Sequence, residues 1–150
     1  MICKVSLEAL DANNWLRICD LSVSEEQKTF FSVPNVYWIG ISRYEEKSDL
    51  FAIKADDDYV GLIGVGLYED GMSGDIDPLM IDYRYQKKGY GRKAMLLIID
   101  YMRDVVKVPA INISYRKENT GAEKLYESLD FKIFGGNETN TWRTLDLSEK

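Results

Sequence analysis

Two runs of β-forming residues, LFAIKA at 50–55 and YVGLIGVGLYE at 59–69, flank three consecutive aspartates. Their β-branched and aromatic side chains suit a pleated, half-buried chain, and a short carboxylate-rich turn folds the two arms back on each other as antiparallel neighbours. The chain is thereby committed to a sheet built on a hairpin. DIDPLMID (75–82) adds a strand with Pro78 inside it, where no amide can enter a ladder, so a bulge or local break in pairing is expected.

Between Gly91 and Val106 the residues Ala94, Met95, Ile98, Met102 and Val105 recur every three or four positions, which predicts a helix ending near Pro109. AINISYR is a strand, and Ala122, Leu125, Tyr126 and Leu129 share one face of a helix within NTGAEKLYESLDF. FKIFGG and TNTWRTLDL close as a hairpin whose loop contains Gly135 and Gly136. Upstream, residues 2–7 form a short strand, and Trp15, Ile18, Cys19 and Leu21 have helical spacing. Ser24 and Gln27 have the spacing of a capping box, with Glu25 and Glu26 in the first turn of a second helix. Pro34 pushes Val33 out of helical geometry, so this helix breaks and resumes through Tyr37, Ile41 and Tyr44. The order β-α-α-β-β-β-α-β-α-β-β describes one mixed α/β domain over residues 1–150, an antiparallel region followed by two strand-helix units.

The chain contains no histidine. A Ser-His-Asp or Cys-His nucleophile cannot be built, and acid-base chemistry must use Asp, Glu, Tyr, Cys, Lys, the terminal amine or water. Cys3 and Cys19 lack metal-ligand or CxxC spacing, so neither a metal nor a disulfide is expected, and both read as small buried hydrophobes. A net charge of -6 argues against nucleic acid and favours cationic or neutral partners. No apolar run approaches the roughly 18 residues of a membrane span, and MICKVSLEAL lacks the features of a signal peptide, which points to the cytoplasm and away from a membrane.

Against this acidic background IDYRYQKKGYGRKAM (81–95) gathers five Lys and Arg around two glycines at a helix start. Glycines let several amides turn toward one ligand, and the helix dipole favours an anion there. The dinucleotide fingerprint needs its first glycine directly after a strand, whereas YRYQKK intervenes, and no Walker sequence is present.

Gln86-Lys87-Lys88-Gly89-Tyr90-Gly91 resembles the (Q/R)-x-x-G-x-(G/A) signature of the GNAT acetyltransferases, and Asn119-Thr120-Gly121-Ala122-Glu123-Lys124-Leu125-Tyr126 followed by Leu129-Asp130-Phe131 resembles their N-x-x-A-x-x-L-Y-x-x-x-G-F segment. The resemblance implies a mostly antiparallel central sheet with flanking helices and a splayed strand pair that holds acetyl-CoA as cosubstrate. It implies that Leu79, Met80 and Ile81 lie along the pantetheine arm, with amides near Met80 polarising the thioester carbonyl. Gln86, Lys87, Lys88, Gly89, Tyr90, Gly91 and Arg92 would receive the pyrophosphate. Asn119 would bond the pantetheine or simply cap its helix. Asp130 stands where the family usually has glycine, and Pro78 departs from a commonly polar position.

DLSVSEEQKTFFSVPNVYWIGISRYEE (20–46), acidic and aromatic, together with DIDPLMID (75–82) most resembles the bacterial diamine (spermidine/spermine) acetyltransferases, which implies a small cationic amine as substrate. The family resemblance implies that Tyr126 would protonate the departing thiolate, and the narrower one that Asp77, placed by strand alternation on the face of Leu79 and Ile81, would act as base or amine ligand. Glu25 and Glu26 would line an amine groove or merely decorate a solvated turn. Trp142 and the last strand offer a homodimer surface or ordinary sheet core. Acetylation of another amine (a protein N-terminus, lysine or antibiotic) and a non-catalytic acyl-CoA-binding regulatory module stay open as alternatives.

Overall fold

The computed structural model describes residues 3–31, 33–45, 48–68 and 71–148. The hairpin forms from β2 (Ser48–Ala55) and β3 (Asp58–Leu67). Its turn is Asp56-Asp57, with Asp56 left-handed at φ 52° and its carboxylate accepting the Lys4 amide at 3.0 Å. β1 (Val5–Ala9) pairs with β2 and β4 (Gly74–Ile81) with β3, both antiparallel. β5 (Ala110–Arg116) joins β4 in parallel, and β7 (Asn140–Asp146) and β6 (Lys132–Gly136) follow antiparallel. The result is the expected mixed, mostly antiparallel sheet, seven strands in the order β1-β2-β3-β4-β5-β7-β6.

Strand alternation gives the sheet two apolar faces. On one, Ile63, Val65 and Ile111 pack with Ala94, Met95 and Ile98 of α3 (Tyr90–Tyr101) and Tyr126 of α4 (Thr120–Ser128). On the other, Leu50, Ala52, Leu62 and Met80 pack with Ile18 of α1 (Trp15–Cys19) and Trp38 and Ile39 of α2 (Asn35–Tyr44). Complete burial of a side chain such as Ile98 or Leu62 contributes roughly 1.5–3 kcal/mol each. No helix among the described residues is long and apolar enough to cross a membrane.

Four local features differ from the pattern read in the sequence. α1 is only five residues long, because Asp11 Oδ1 first accepts the amides of Asn13 and Asn14 in a turn. Ser24 and Gln27 do bond reciprocally as a capping box, at 3.4 Å each, but only a four-residue 3-10 turn (Glu26–Thr29) follows. The adjacent Phe30 and Phe31 cannot share one buried helical face, and both turn to wall a cleft instead. Beyond Tyr101 the third helix widens into one π turn, Met102–Val106, closed by the Lys107 amide on the Met102 carbonyl at 2.8 Å. Gly135 and Gly136 lie within β6 opposite Trp142 and Thr141, and not in the loop. The loop is held by Asn137, whose Oδ1 accepts the Thr139 and Asn140 amides. Cys3 and Cys19 are free and half-buried.

Candidate active site

β4 and β5 pair only at Gly74–Ile111 and Asp75–Asn112, then diverge. The cause lies in β4. Its register against β3 jumps from Leu79–Ile63 to Ile76–Val65, so Asp77 and Pro78 together face Gly64, the bulge expected from the missing proline amide. A Cβ at Gly64 would sit 2.9 Å from the Asp77 carbonyl oxygen and 3.0 Å from Pro78 Cδ, so only glycine leaves room for it. Between the diverging strands opens a cleft of about 530 Å³, closed at its sides by α4, the start of α3 and the segment carrying Gln27, Phe31 and Val33.

The bulge also changes which side chains face which way. Leu79 and Ile81 pack on the α3 side of the sheet, whereas Met80 belongs to the α1-α2 side. Ile76 also faces α3, so Asp77 points the other way, with Pro78 and Met80. Simple alternation had put Asp77 on the face of Leu79 and Ile81; the extra residue of the bulge reverses that parity. Backbone groups follow the same count. The Asp82 amide bonds the Val60 carbonyl at 2.8 Å, and a Cβ on Gly61 would fall on the Met80 carbonyl oxygen. Met80 therefore spends its peptide groups on β3, and the amides of Leu79 and Ile81, on either side of it, project into the gap.

At the mouth of the gap Gly89 begins α3 in the left-handed region, φ 82°, after Lys87 at φ 64°. No side chain caps this helix, and its first bond is from the Lys93 amide to the Gly89 carbonyl at 3.2 Å. The amides of Tyr90, Gly91 and Arg92 thus have no helical partner and offer a ready anion site. Gln86, Lys87, Gly89, Tyr90 and Gly91 line the cleft, and Lys88 and Arg92 lie exposed beside the helix start. The Tyr90 hydroxyl meets the Cys3 thiol at 3.8 Å. Gln86 is fixed by its Nε2, which donates to the Ile81 carbonyl at 2.8 Å and to Gln27 Oε1 at 2.7 Å. The capping-box glutamine is thereby tied to the loop.

Asp77 opens into the cleft, yet its protein walls and then the charge of Asp75 lift its carboxyl to about 6. Tyr126 lies on α4 across the gap, its ring 5.4 Å from that of Tyr115 and 5.9 Å from that of Phe131. Burial, then the charge of Asp77, then Tyr115 push its phenol well above the usual tyrosine value, so it stays protonated. Among the described residues its hydroxyl has no hydrogen-bond partner, and since no sealed polar side-chain atom is left unpaired, it opens to the cleft. Asn119 also lines the cleft, with Oδ1 capping α4 through the Ala122 amide at 3.1 Å. Glu25 and Glu26 are not brought to the cleft. Glu25 pairs on the surface with Lys28 at 2.7 Å, and Glu26 is exposed beside it.

Three supporting groups escaped the sequence reading. Arg143, buried, donates to Tyr115 Oη at 2.9 Å, the Phe131 carbonyl at 2.7 Å and Glu123 Oε1 at 3.2 Å, bracing the wall behind Tyr126. Asp82, completely buried, accepts from the Ser22 amide, the Arg84 amide and the Arg84 side chain. Asp75 lies two residues before Asp77 on the same face of β4, and that D-x-D spacing was the one available sequence signal. Arg143 gave none, since a lone charge in an alternating strand reads as solvent-facing.

A strand pair splayed over an uncapped helix start, with a carboxylate and a phenol on the walls of the gap, can receive an anionic ligand along the diverging strands. The model of the acetyltransferase (GNAT) family matches residues 11–131, and the chain belongs to that family of N-acetyltransferases. It is 27% identical over 146 residues to the spermine/spermidine N(1)-acetyltransferase of Bacillus subtilis (strain 168), covering 87% of this chain and 90% of that protein. The fold matches that of the spermidine N-acetyltransferase from Vibrio cholerae in complex with CoA and spermine, with a TM-score of 0.81 at 16% identity over 96% of each chain. It also matches the Campylobacter jejuni N-acetyltransferase PseH in complex with acetyl coenzyme A, with a TM-score of 0.71 at 19% identity over 95% of this chain and 99% of that one.

Proposed function

We propose that this enzyme transfers the acetyl group of acetyl-CoA directly to a primary amine of a polyamine or diamine such as spermidine or spermine. The observation that carries the reading is the Asp77–Tyr126 pair: a carboxyl lifted to about 6 and a phenol held protonated line the same cleft, near enough for the Asp77 charge to act on the phenol, at the gap onto which the free amides of Leu79 and Ile81 open. The B. subtilis relative supports the amine class.

Acetyl-CoA supplies an activated acyl carbon and a thiolate leaving group. Lys87, Lys88, Arg92 and the amides from Gly89 to Arg92 offset its phosphates, Gln86 and Asn119 border its arm, and the Leu79 and Ile81 amides face its carbonyl oxygen. Asp77 takes one proton of the arriving ammonium, the neutral amine nitrogen bonds the acyl carbon as the carbon-sulfur bond breaks, Tyr126 gives its proton to the departing sulfur, and the second proton of the acylated nitrogen passes through cleft water to restore the phenol. Burial holds the phenol proton first, and the further hold from the Asp77 charge is cancelled once that carboxyl is protonated, so base action eases acid action. Two free thiols and the cofactor's chemistry suit a cytoplasmic setting.

Free thiol release from acetyl-CoA is the test, run with spermidine, spermine, putrescine, lysine peptides and aminoglycosides. Rapid release with the polyamines is expected. Release only with peptides or aminoglycosides would reject the substrate class, and binding of acetyl-CoA without release to any amine would reject catalysis.

A further inference from the structure

We propose that Asp75 is a specificity residue that, with Asp77, clamps a substrate bearing two ammonium groups three or four methylenes apart. The proposal rests on the amine-acetylation reading above. A second cavity of about 210 Å³ shares Ile76, Asp77 and Ser114 with the main cleft, so the two adjoin at Asp77. Its lining adds Asp75, Asn112, Phe134 and Trp142, with the last two rings 6.2 Å apart. Among the described residues its lining holds two carboxylates and no Lys or Arg.

Neither carboxylate has an ion-pair partner among the described residues. Burial lifts both, and the amides of Gly66 and Asp75 offset only part of the effect at Asp75. Two like charges held this way are destabilising until a cation arrives. Their spacing fits one. Residues i and i+2 on a strand face lie roughly 6.6 Å apart, and amines joined by three or four methylenes lie roughly 5–6 Å apart in an extended chain. The bulge begins only after this pair has been placed on one face. The Phe134 and Trp142 rings give the distal ammonium and its methylenes an aromatic wall.

The alternative course for the substrate's tail is the cavity of about 450 Å³ beside α2, lined by Lys28, Trp38, Pro78 and Met80 among others and by no carboxylate. Its one charged side chain among the described residues, Lys28, is already paired with Glu25 at 2.7 Å, so that cavity offers a cation no carboxylate of its own. Charge therefore directs the tail toward Asp75.

The test compares the purified enzyme with Asp75→Asn and, as a second disruption from the opposite wall, Asn112→Lys. Substrates are 1,3-diaminopropane and putrescine against propylamine and butylamine, the monoamines of matching length. The ratio of kcat/KM for diamine to that for monoamine should fall about ten- to a hundredfold in both variants, mainly through KM, the loss of one charge-assisted contact. Calorimetric titration of spermidine into the CoA complex should show the same loss in affinity, with thermal midpoints as the folding control. An unchanged ratio and affinity in both folded variants overturns the role of Asp75 while leaving polyamine acetylation standing. A wild-type enzyme that acetylates no diamine or polyamine overturns both.

Discussion

Replacing Asp77 with Asn tests the base directly. With its carboxyl at about 6, Asp77 in the free enzyme is roughly 90% ionised at pH 7, half ionised at pH 6 and about 9% ionised at pH 5. If the ionised form accepts the ammonium proton, kcat/KM for spermidine loses about a factor of ten between pH 7 and pH 5 from this group alone. The amine titrates as well, so the informative quantity is the wild-type value divided by the Asp77→Asn value at each pH, which cancels the substrate. That quotient should fall about tenfold across this window, and the variant's own profile should lose the inflection. A quotient that stays flat from pH 5 to 7.5, or an inflection near 6 that survives in the variant, refutes the assignment. Stability should move the opposite way. A carboxyl raised in the folded state binds its proton more tightly there than in the unfolded chain, so its destabilising effect is absent below the ordinary carboxylate range and complete above about 6. Asp77→Asn should therefore raise the thermal midpoint at pH 7.5 and leave it unchanged at pH 3.5.

Tyr126→Phe should lower kcat by about 10²–10⁴-fold, the usual worth of a placed acid, with acetyl-CoA affinity by calorimetry unchanged; an undiminished kcat removes the phenol from the reaction. Asp82 is held below the ordinary carboxylate range because the Arg84 side chain and the Ser22 and Arg84 amides outweigh its burial, so its contribution is present above that range and lost as pH falls through the lowered value. Asp82→Asn should then cost about 1–3 kcal/mol in urea unfolding at pH 7, with the gap closing toward pH 3. Arg143→Met should cost about 2–4 kcal/mol and loosen the wall behind Tyr126, visible as a lower kcat at unchanged acetyl-CoA affinity. Asp130, left-handed at φ 69° at the end of α4, should gain up to about 1 kcal/mol on replacement by Gly, with activity retained.

Most of the fold was legible because local chemistry and final position agree: the hairpin, the α3 period and the α4 face each satisfy their own periodicity and then pack accordingly. The anion loop was legible for the same reason, since Gly89, Gly91 and an uncapped helix act within a few residues of each other. The left-handed Asp130 could be expected from its place after the helix and is found there. What escaped depends on partners far along the chain. Arg143 finds Tyr115 and Glu123 only once β7 lies beside β5, and Gln27 finds Gln86 only across the cleft. Glu25 and Glu26 could be assigned to a helix start, but the side they present depends on how soon that turn ends.

Pro78 joins these two categories. Its missing amide announces a bulge from the sequence alone, but the consequence lies two residues away on each side. Because Asp77 and Pro78 both occupy the space opposite Gly64, the side chains before the bulge keep one parity and those after it take the other. Asp75 and Asp77 can then face the helix-free cavity while Leu79 and Ile81, four and six residues after Asp75, pack toward α3 and turn their amides to the gap. An unbulged strand would put Asp77, Leu79 and Ile81 on one face, and the carboxylate would compete with the thioester donor for the same side of the sheet. On the proposed reading, the irregular residue separates the anionic donor from the carboxylates assigned to the amine, and lets the two substrates meet from opposite sides at one break in the ladder.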